Sequence, residues 1–164
     1  MKRLYLIRHA KSSWRDPGSA DFDRPLNKRG KHDVPRMGQR LKALGVVPDL
    51  IVSSPAKRAI RTARQIADEI GYDRKAIELN EILYGAIPED TLAIIRATDA
   101  AYDSTMIFGH NPMMTGLINQ LTDFRIDNVP TCGAFCATFD IEDWRDIREG
   151  EGDFVFFEVP KLLG

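Results

Sequence analysis

The 164-residue chain is 43% apolar and 29% charged, with 12 Gly and 9 Pro, which excludes a disordered or fibrous protein and allows one domain with a sizeable core. No apolar run approaches the ~20 residues of a membrane helix, and no apolar leader precedes the first strand-like run, so a cytoplasmic protein with neither membrane nor export is expected. Net charge is −1, but residues 1–75 carry 18 Lys+Arg against 8 Asp+Glu, and residues 76–164 carry 5 against 16. Either the two parts interleave and average out, or the first builds an anion pocket. Without a long basic run, and with a pI near 6.3, nucleic acid is not an expected partner.

Residues 3–7 read as a strand that stops at Arg8-His9. Residues 10–26 are a polar loop with a turn at Asp16-Pro17-Gly18. Asn27 is a helix cap, and the helix runs to about Leu44 and ends at Gly45. Pro35 lies inside it, which predicts a kink or a late start. Leu50-Ile51-Val52 is a short buried strand. Ser54 caps a second helix with Pro55 at its first position, through Ile70, with Gly71 after its end. Residues 76–79 form a short strand. Pro88 opens a third helix with Glu89 and Asp90 in its first turn. Thr105–Phe108 is a strand ending at Gly109-His110, and Asn111-Pro112 caps a helix to about Leu121. Residues 133–140 and 154–159 are the last strands. The alternation predicts an α/β fold: a single-domain, three-layer sandwich over residues 1–164, its sheet mostly parallel, helices on both faces, and an antiparallel edge from the last two strands.

Several chemistries have no signature here. GxxxxGK[ST], strand-linked GxGxxG, HExxH and GxSxG are all missing. Cys132 and Cys136, in CGAFC, are not a CxxC pair and read as reduced, buried thiols. The histidines are His9, His32 and His110. No ligand pair sits at helical spacing, so no metal and no cofactor is expected.

What remains is a repeated design. His9, Ser53-Ser54-Pro55 and His110 each follow a strand, and Arg58 lies in the first turn of the helix opened by Ser54. In a parallel sheet these points fall on the carboxyl edge, where ligands bind. Two histidines among arginines suit a phosphoryl group. Arginine's fork matches phosphate oxygens, a helix start adds N–H donors, and a neutral imidazole nitrogen is a competent nucleophile towards phosphorus. Fixed positive charge then stabilises the transferring group without a metal.

Four segments carry a resemblance to a known family. Leu6-Ile7-Arg8-His9-Ala10 resembles the RHG signature of the histidine phosphatase superfamily, which includes the phosphoglycerate mutases. Arg24-Pro25-Leu26-Asn27 with Gly30 resembles its RPLTxxG segment. Ser53-Ser54-Pro55 through Arg58-Ala59 and Thr62-Ala63 resembles SSPxxRAxQTA. Phe108-Gly109-His110-Asn111 resembles the second-histidine strand end. The short chain is similar to the small phosphohistidine-phosphatase (SixA-like) branch more than to the mutases.

The resemblance implies that His9 is the nucleophile, that Arg8, Arg24 and Arg58 bind phosphate, and that His110 hydrogen-bonds the transferring group. Glu81, in Leu79-Asn80-Glu81-Ile82-Leu83-Tyr84-Gly85, matches the mutases' LNExxYG general acid or base. Ala10 replaces the signature glycine. Arg15 replaces the asparagine of the mutases' ESxWN, and Arg61 stands where the family has glutamine, adding to a basic rim. Beside these roles, Arg24 has Asp21 and Asp23 within reach as ion-pair partners, His32 reads as a surface residue, Trp14 as either a core anchor or a rim, and Met113-Met114 as core.

The expected activity is a metal-independent phosphatase working through a phosphohistidine on His9. Its expected substrate is phosphohistidine on a protein, because only ~20 residues separate the Arg58 helix from Glu81, too few for a large lid, and an open site tolerates a protein surface. Two alternatives stand beside it: a small phosphorylated metabolite as substrate, or a phosphate-binding docking module without turnover.

Overall fold

The computed structural model describes residues 1–163. Six strands, β1 (Lys2–Arg8), β2 (Leu50–Ser53), β3 (Glu78–Leu79), β4 (Ser104–Gly109), β5 (Ala134–Phe139) and β6 (Asp153–Glu158), form one sheet in the order β3-β2-β4-β1-β5-β6. The first four are mutually parallel, while β5 runs antiparallel to β1, and β6 antiparallel to β5 at the edge.

Alternation along each strand divides the core in two. In β1, Leu4 and Leu6 face one apolar cluster, while Tyr5 and Ile7 face the other. In β4, Ile107 joins the first, and Met106 and Phe108 the second. Helices α1 (Lys28–Ala43) and α2 (Lys57–Ile70) cover the second face through Val34, Met37, Leu41, Ala63 and Ile66. Helices α3 (Pro88–Arg96) and α4 (Met113–Leu121) cover the first through Leu92, Ile95, Leu117 and Ile118. The expected Met113-Met114 pair is part of that core, and both cysteines are free and buried. Among the described residues no helix is long and apolar enough to cross a membrane.

The local signals act as their chemistry dictates. Asn27 caps α1, its side chain accepting from Gly30 N at 2.8 Å. Gly45 (φ 75°) and Gly71 (φ 82°) follow α1 and α2 in the left-handed conformation that glycine adopts without strain. Gly30 answers a different need: a Cβ there would lie 2.2 Å from the Lys11 carbonyl oxygen, so only glycine lets α1 pack against the loop that follows β1.

Two expectations need correction. Of the kink or late start expected from Pro35, the late start does not occur: α1 starts at Lys28 and continues past the proline; the Asn27 cap and the Gly30 contact fix the start, and the proline costs the one bond its missing N–H would make. Ser54 does not cap α2. The helix starts at Lys57, because the Ser54 hydroxyl is held by Ala56 N at 3.2 Å and by the His110 ring.

The sheet order places the site. The chain leaves β1 and β2 for helices on one face, and leaves β4, lying between them, for α4 on the other. Adjacent strands whose connections diverge open a crevice at their carboxyl ends. Arg8 pairs with Gly109 and Ser53 with Phe108 across this point, so His9, Ser54 and His110 are the next residues out on three neighbouring strands.

Candidate active site

A cavity of about 420 Å³ opens there, and Arg8, His9, Arg24, Arg58 and His110 all line it together with Asp21. Chain segments that are distant in sequence thus bring five of the six expected residues to one place. Glu81 is not among them. Its side chain is exposed on a 3-10 turn (Glu81–Leu83), and that loop reaches the site through Tyr84 instead.

His9 is buried at the end of β1, its backbone N–H donating to Gly109 O at 3.0 Å. The next N–H, of Ala10, donates to Thr62 Oγ1 at 3.0 Å, which ties the strand end to α2. The fully buried Ala10 keeps this approach close. His9 Nδ1 lies 2.7 Å from Ala10 O. A carbonyl only accepts, so Nδ1 carries the proton and Nε2 keeps its lone pair. Burial, with the nearby His110, Arg58 and Arg8, holds the ring's pKa down at about 3. The imidazole is therefore neutral at physiological pH.

The His110 ring centroid is 5.1 Å from that of His9. Its Nε2 lies 2.8 Å from Ser54 Oγ. Because Ala56 N donates to that oxygen, the Ser54 hydroxyl hydrogen is free to be donated to Nε2. This assignment leaves the ring proton on Nδ1, which is buried with no protein partner. Burial and Arg58 keep His110 neutral as well, at about 4.

The arginines are braced by backbone and by Asp21. Arg8 donates to Val129 O at 2.8 Å, while its Nε is buried without a partner. Burial and the neighbouring Arg58 lower the Arg8 pKa, the mark of cations packed together. Arg24 donates to Ser13 O at 3.1 Å and to the Ser12 hydroxyl, and its guanidinium lies 3.2 Å above the Trp14 ring. Trp14, 76% exposed, is thus rim and not core. Of the two aspartates within reach, Arg24 takes Asp21, at 2.9 Å.

Arg58 donates to Asp21 O at 2.7 Å and to its Oδ2 at 3.0 Å. Tyr84 completes the cluster, its hydroxyl donating to Asp21 Oδ2 at 2.7 Å and its ring edge-on to His110. The Tyr84 bond and the two arginines hold the Asp21 carboxyl at about 2. Asp21 and Tyr84 are functional neighbours that the sequence did not pair. They are 63 residues apart, and neither lies in a motif that requires the other. His32, as expected, is exposed on α1.

This arrangement combines an imidazole lone pair, a second imidazole, three guanidinium groups and one carboxylate ionised at neutral pH. It suits a tetrahedral anion that accepts attack at its centre. Comparison with known proteins agrees. The family model of the histidine phosphatase superfamily (branch 1) matches residues 4–125. An uncharacterized chloroplastic protein of Arabidopsis thaliana is 44% identical over 141 residues, 81% of this chain; the chain spans 64% of that relative's length. An uncharacterized protein of Mycobacterium tuberculosis is 32% identical, covering 94% of this chain and all of its own length. Among solved structures, a candidate phosphohistidine phosphatase SixA from Agrobacterium tumefaciens superposes with a TM-score of 0.83 at 28% identity, covering 97% of this chain and 98% of its own. The protein histidine phosphatase SixA in complex with tungstate has the same fold, with a TM-score of 0.83 at 21% identity over 99% of both chains.

Proposed function

The chain belongs to the histidine phosphatase superfamily, branch 1, and from that membership we propose that it hydrolyses phosphohistidine on a protein through a covalent intermediate on His9. The observation that carries this reading is the setting of His9: Nδ1 lies 2.7 Å from Ala10 O, which leaves Nε2 with its lone pair, and the residue lines a cavity together with three arginines.

In the first step the Nε2 lone pair attacks phosphorus. The Nε2–P bond forms as the bond to the leaving group breaks, and that electron pair departs with the leaving group. Arg8, Arg24 and Arg58 bind the equatorial oxygens, and the His110 ring, which lines the same cavity, hydrogen-bonds one of them. The phosphorylated ring, still protonated on Nδ1, is a phosphoimidazolium. In the second step water attacks phosphorus, the P–Nε2 bond breaks, its electron pair returns to Nε2, and the water's proton passes to solvent.

The choice of substrate is supported by what the cavity's groups can donate. An alkyl phosphate leaves as an alkoxide and needs a proton from a general acid, an effect typically contributing ~10²–10⁴-fold. The carboxylate lining this cavity is Asp21, held ionised, and both histidines are held neutral. A phosphohistidine protonated on its other ring nitrogen leaves as neutral imidazole and needs no proton. Transfer to His9 is then an exchange between two like nitrogens. This supports phosphohistidine over a small alkyl phosphate. Initial rates on a phosphohistidine peptide, an aryl phosphate and an alkyl phosphate test it. The expected kcat/KM order is peptide, then aryl, with alkyl ~10²-fold or more below. An alkyl phosphate turned over as well as the peptide overturns it. Binding of phosphate with turnover of none of the three indicates a docking module.

A further inference from the structure

Beside the cavity runs a track of positive charge that the phosphoryl-transfer chemistry does not use. On α2, Lys57, Arg61 and Arg64 are exposed, while Ala59, Ala63, Ile66 and Ala67 on the opposite face are buried. Spacings of four and three put the three cations on one face, where like charges disfavour the helix. Lys31 of α1 joins them across a groove of about 670 Å³ floored by Pro25 and Leu26. Arg74, at the far end, is paired with Asp68. Among the described residues, Lys31, Lys57, Arg61 and Arg64 have no carboxylate within ion-pairing distance.

This groove is continuous with the reacting centre. Pro25, Leu26 and Lys31 are shared with a neighbouring hollow of about 900 Å³ that also holds Lys11 and Lys28. That hollow in turn shares Lys11, Ser12, Trp14 and Arg24 with the His9 cavity. The +10 excess of residues 1–75 is therefore gathered in part along one path that leads to the catalytic mouth.

We propose that this track is a docking surface for an acidic segment of the protein that carries the phosphorylated residue. The inference rests on the phosphohistidine-phosphatase reading, which it extends from the reacting group to the chain around it. A polypeptide fits the track better than a nucleic acid does. The α2 groove is lined by no aromatic side chain on which a base could stack, and the Trp14 face is taken by Arg24.

The test uses two synthetic peptides, each with one phosphohistidine, identical except for Glu or Lys in the flank. Wild type is expected to favour the Glu-flanked peptide by ~10-fold or more in kcat/KM, with the preference shrinking as salt is raised. In Arg61→Glu/Arg64→Glu the preference falls to near unity or reverses, while hydrolysis of a small aryl phosphate is unchanged. Equal rates on both peptides in wild type, or a preference that survives in the variant, overturn the proposal. If neither peptide is hydrolysed, the substrate reading fails by itself. Anisotropy of the labelled, unphosphorylated Glu-flanked peptide then decides the docking. Salt-sensitive binding that the variant loses sustains the surface, and no binding overturns it. A single-stranded oligonucleotide that binds more tightly than the acidic peptide overturns the choice of partner.

Discussion

If burial keeps His9 and His110 neutral, folding must become harder as the pH falls, by an amount that can be worked out. Both rings ionise near 6.5 when unfolded, but only near 3 and near 4 when folded. Below pH 6.5 the unfolded chain therefore takes up protons that the native site refuses, and stability rises with pH through this window. Each unit between the unfolded pKa and the working pH is worth about 1.4 kcal/mol, so at pH 5 each histidine lowers stability by about 2 kcal/mol relative to pH 8, and the pair by about 4 kcal/mol. Urea denaturation at pH 8, 6.5 and 5 measures this. Paired carboxylates also titrate towards acid, so the informative quantity is the difference from His9→Gln/His110→Gln, which lacks both rings. The double variant is expected to lose about 4 kcal/mol less than wild type between pH 8 and pH 5. Parallel loss in the two proteins would refute the claim that the native site excludes protonated imidazole, and with it the readiness of Nε2 for attack.

Other consequences concern single contacts. Arg58→Ala removes a preorganised cation and is expected to lower kcat ~10²–10³-fold on an aryl phosphate; unchanged kinetics would place Arg58 outside the reaction. Tyr84→Phe deletes the largest influence on the Asp21 carboxyl, so its pKa is expected to rise from about 2 towards 3.8, as carboxyl NMR titration would show; an unmoved titration contradicts the cluster. Gly30→Ala forces a methyl against the Lys11 carbonyl and is expected to cost about 1–3 kcal/mol or more in thermal or urea unfolding, whereas a neutral result would show that α1 packs further from that loop.

Much of this architecture was legible because its signals are local. Asn27, Gly45, Gly71 and Pro88 punctuate helices by backbone rules that need no partner elsewhere, and the apolar runs of β1, β2 and β4 give the parallel core. The strand-end positions of His9 and His110 then fall together by topology alone. What stayed hidden depends on contacts far apart in sequence. Ser54 reads as a helix cap until the His110 ring, 56 residues on, is seen to take its hydroxyl. Asp21 reads as an ordinary neighbour of Arg24, yet it also anchors Arg58 and Tyr84. Trp14 reads equally as core or rim, because only the stacking of Arg24 on its exposed ring distinguishes the two. Glu81 matches a motif in letters, but its turn leaves the side chain exposed and outside the cavity.

The central claim is a phosphorus–nitrogen bond on one named residue. Intact-protein mass spectrometry after a rapid, acid-free quench, with an aryl phosphate as donor, tests it most directly, and sampling on the millisecond scale under single-turnover conditions guards against an adduct too short-lived to see. The account predicts one added phosphoryl group, mapped by fragmentation to His9 and missing from His9→Ala. Turnover by the wild type with no adduct under single-turnover conditions, or an adduct that persists in His9→Ala, would contradict it.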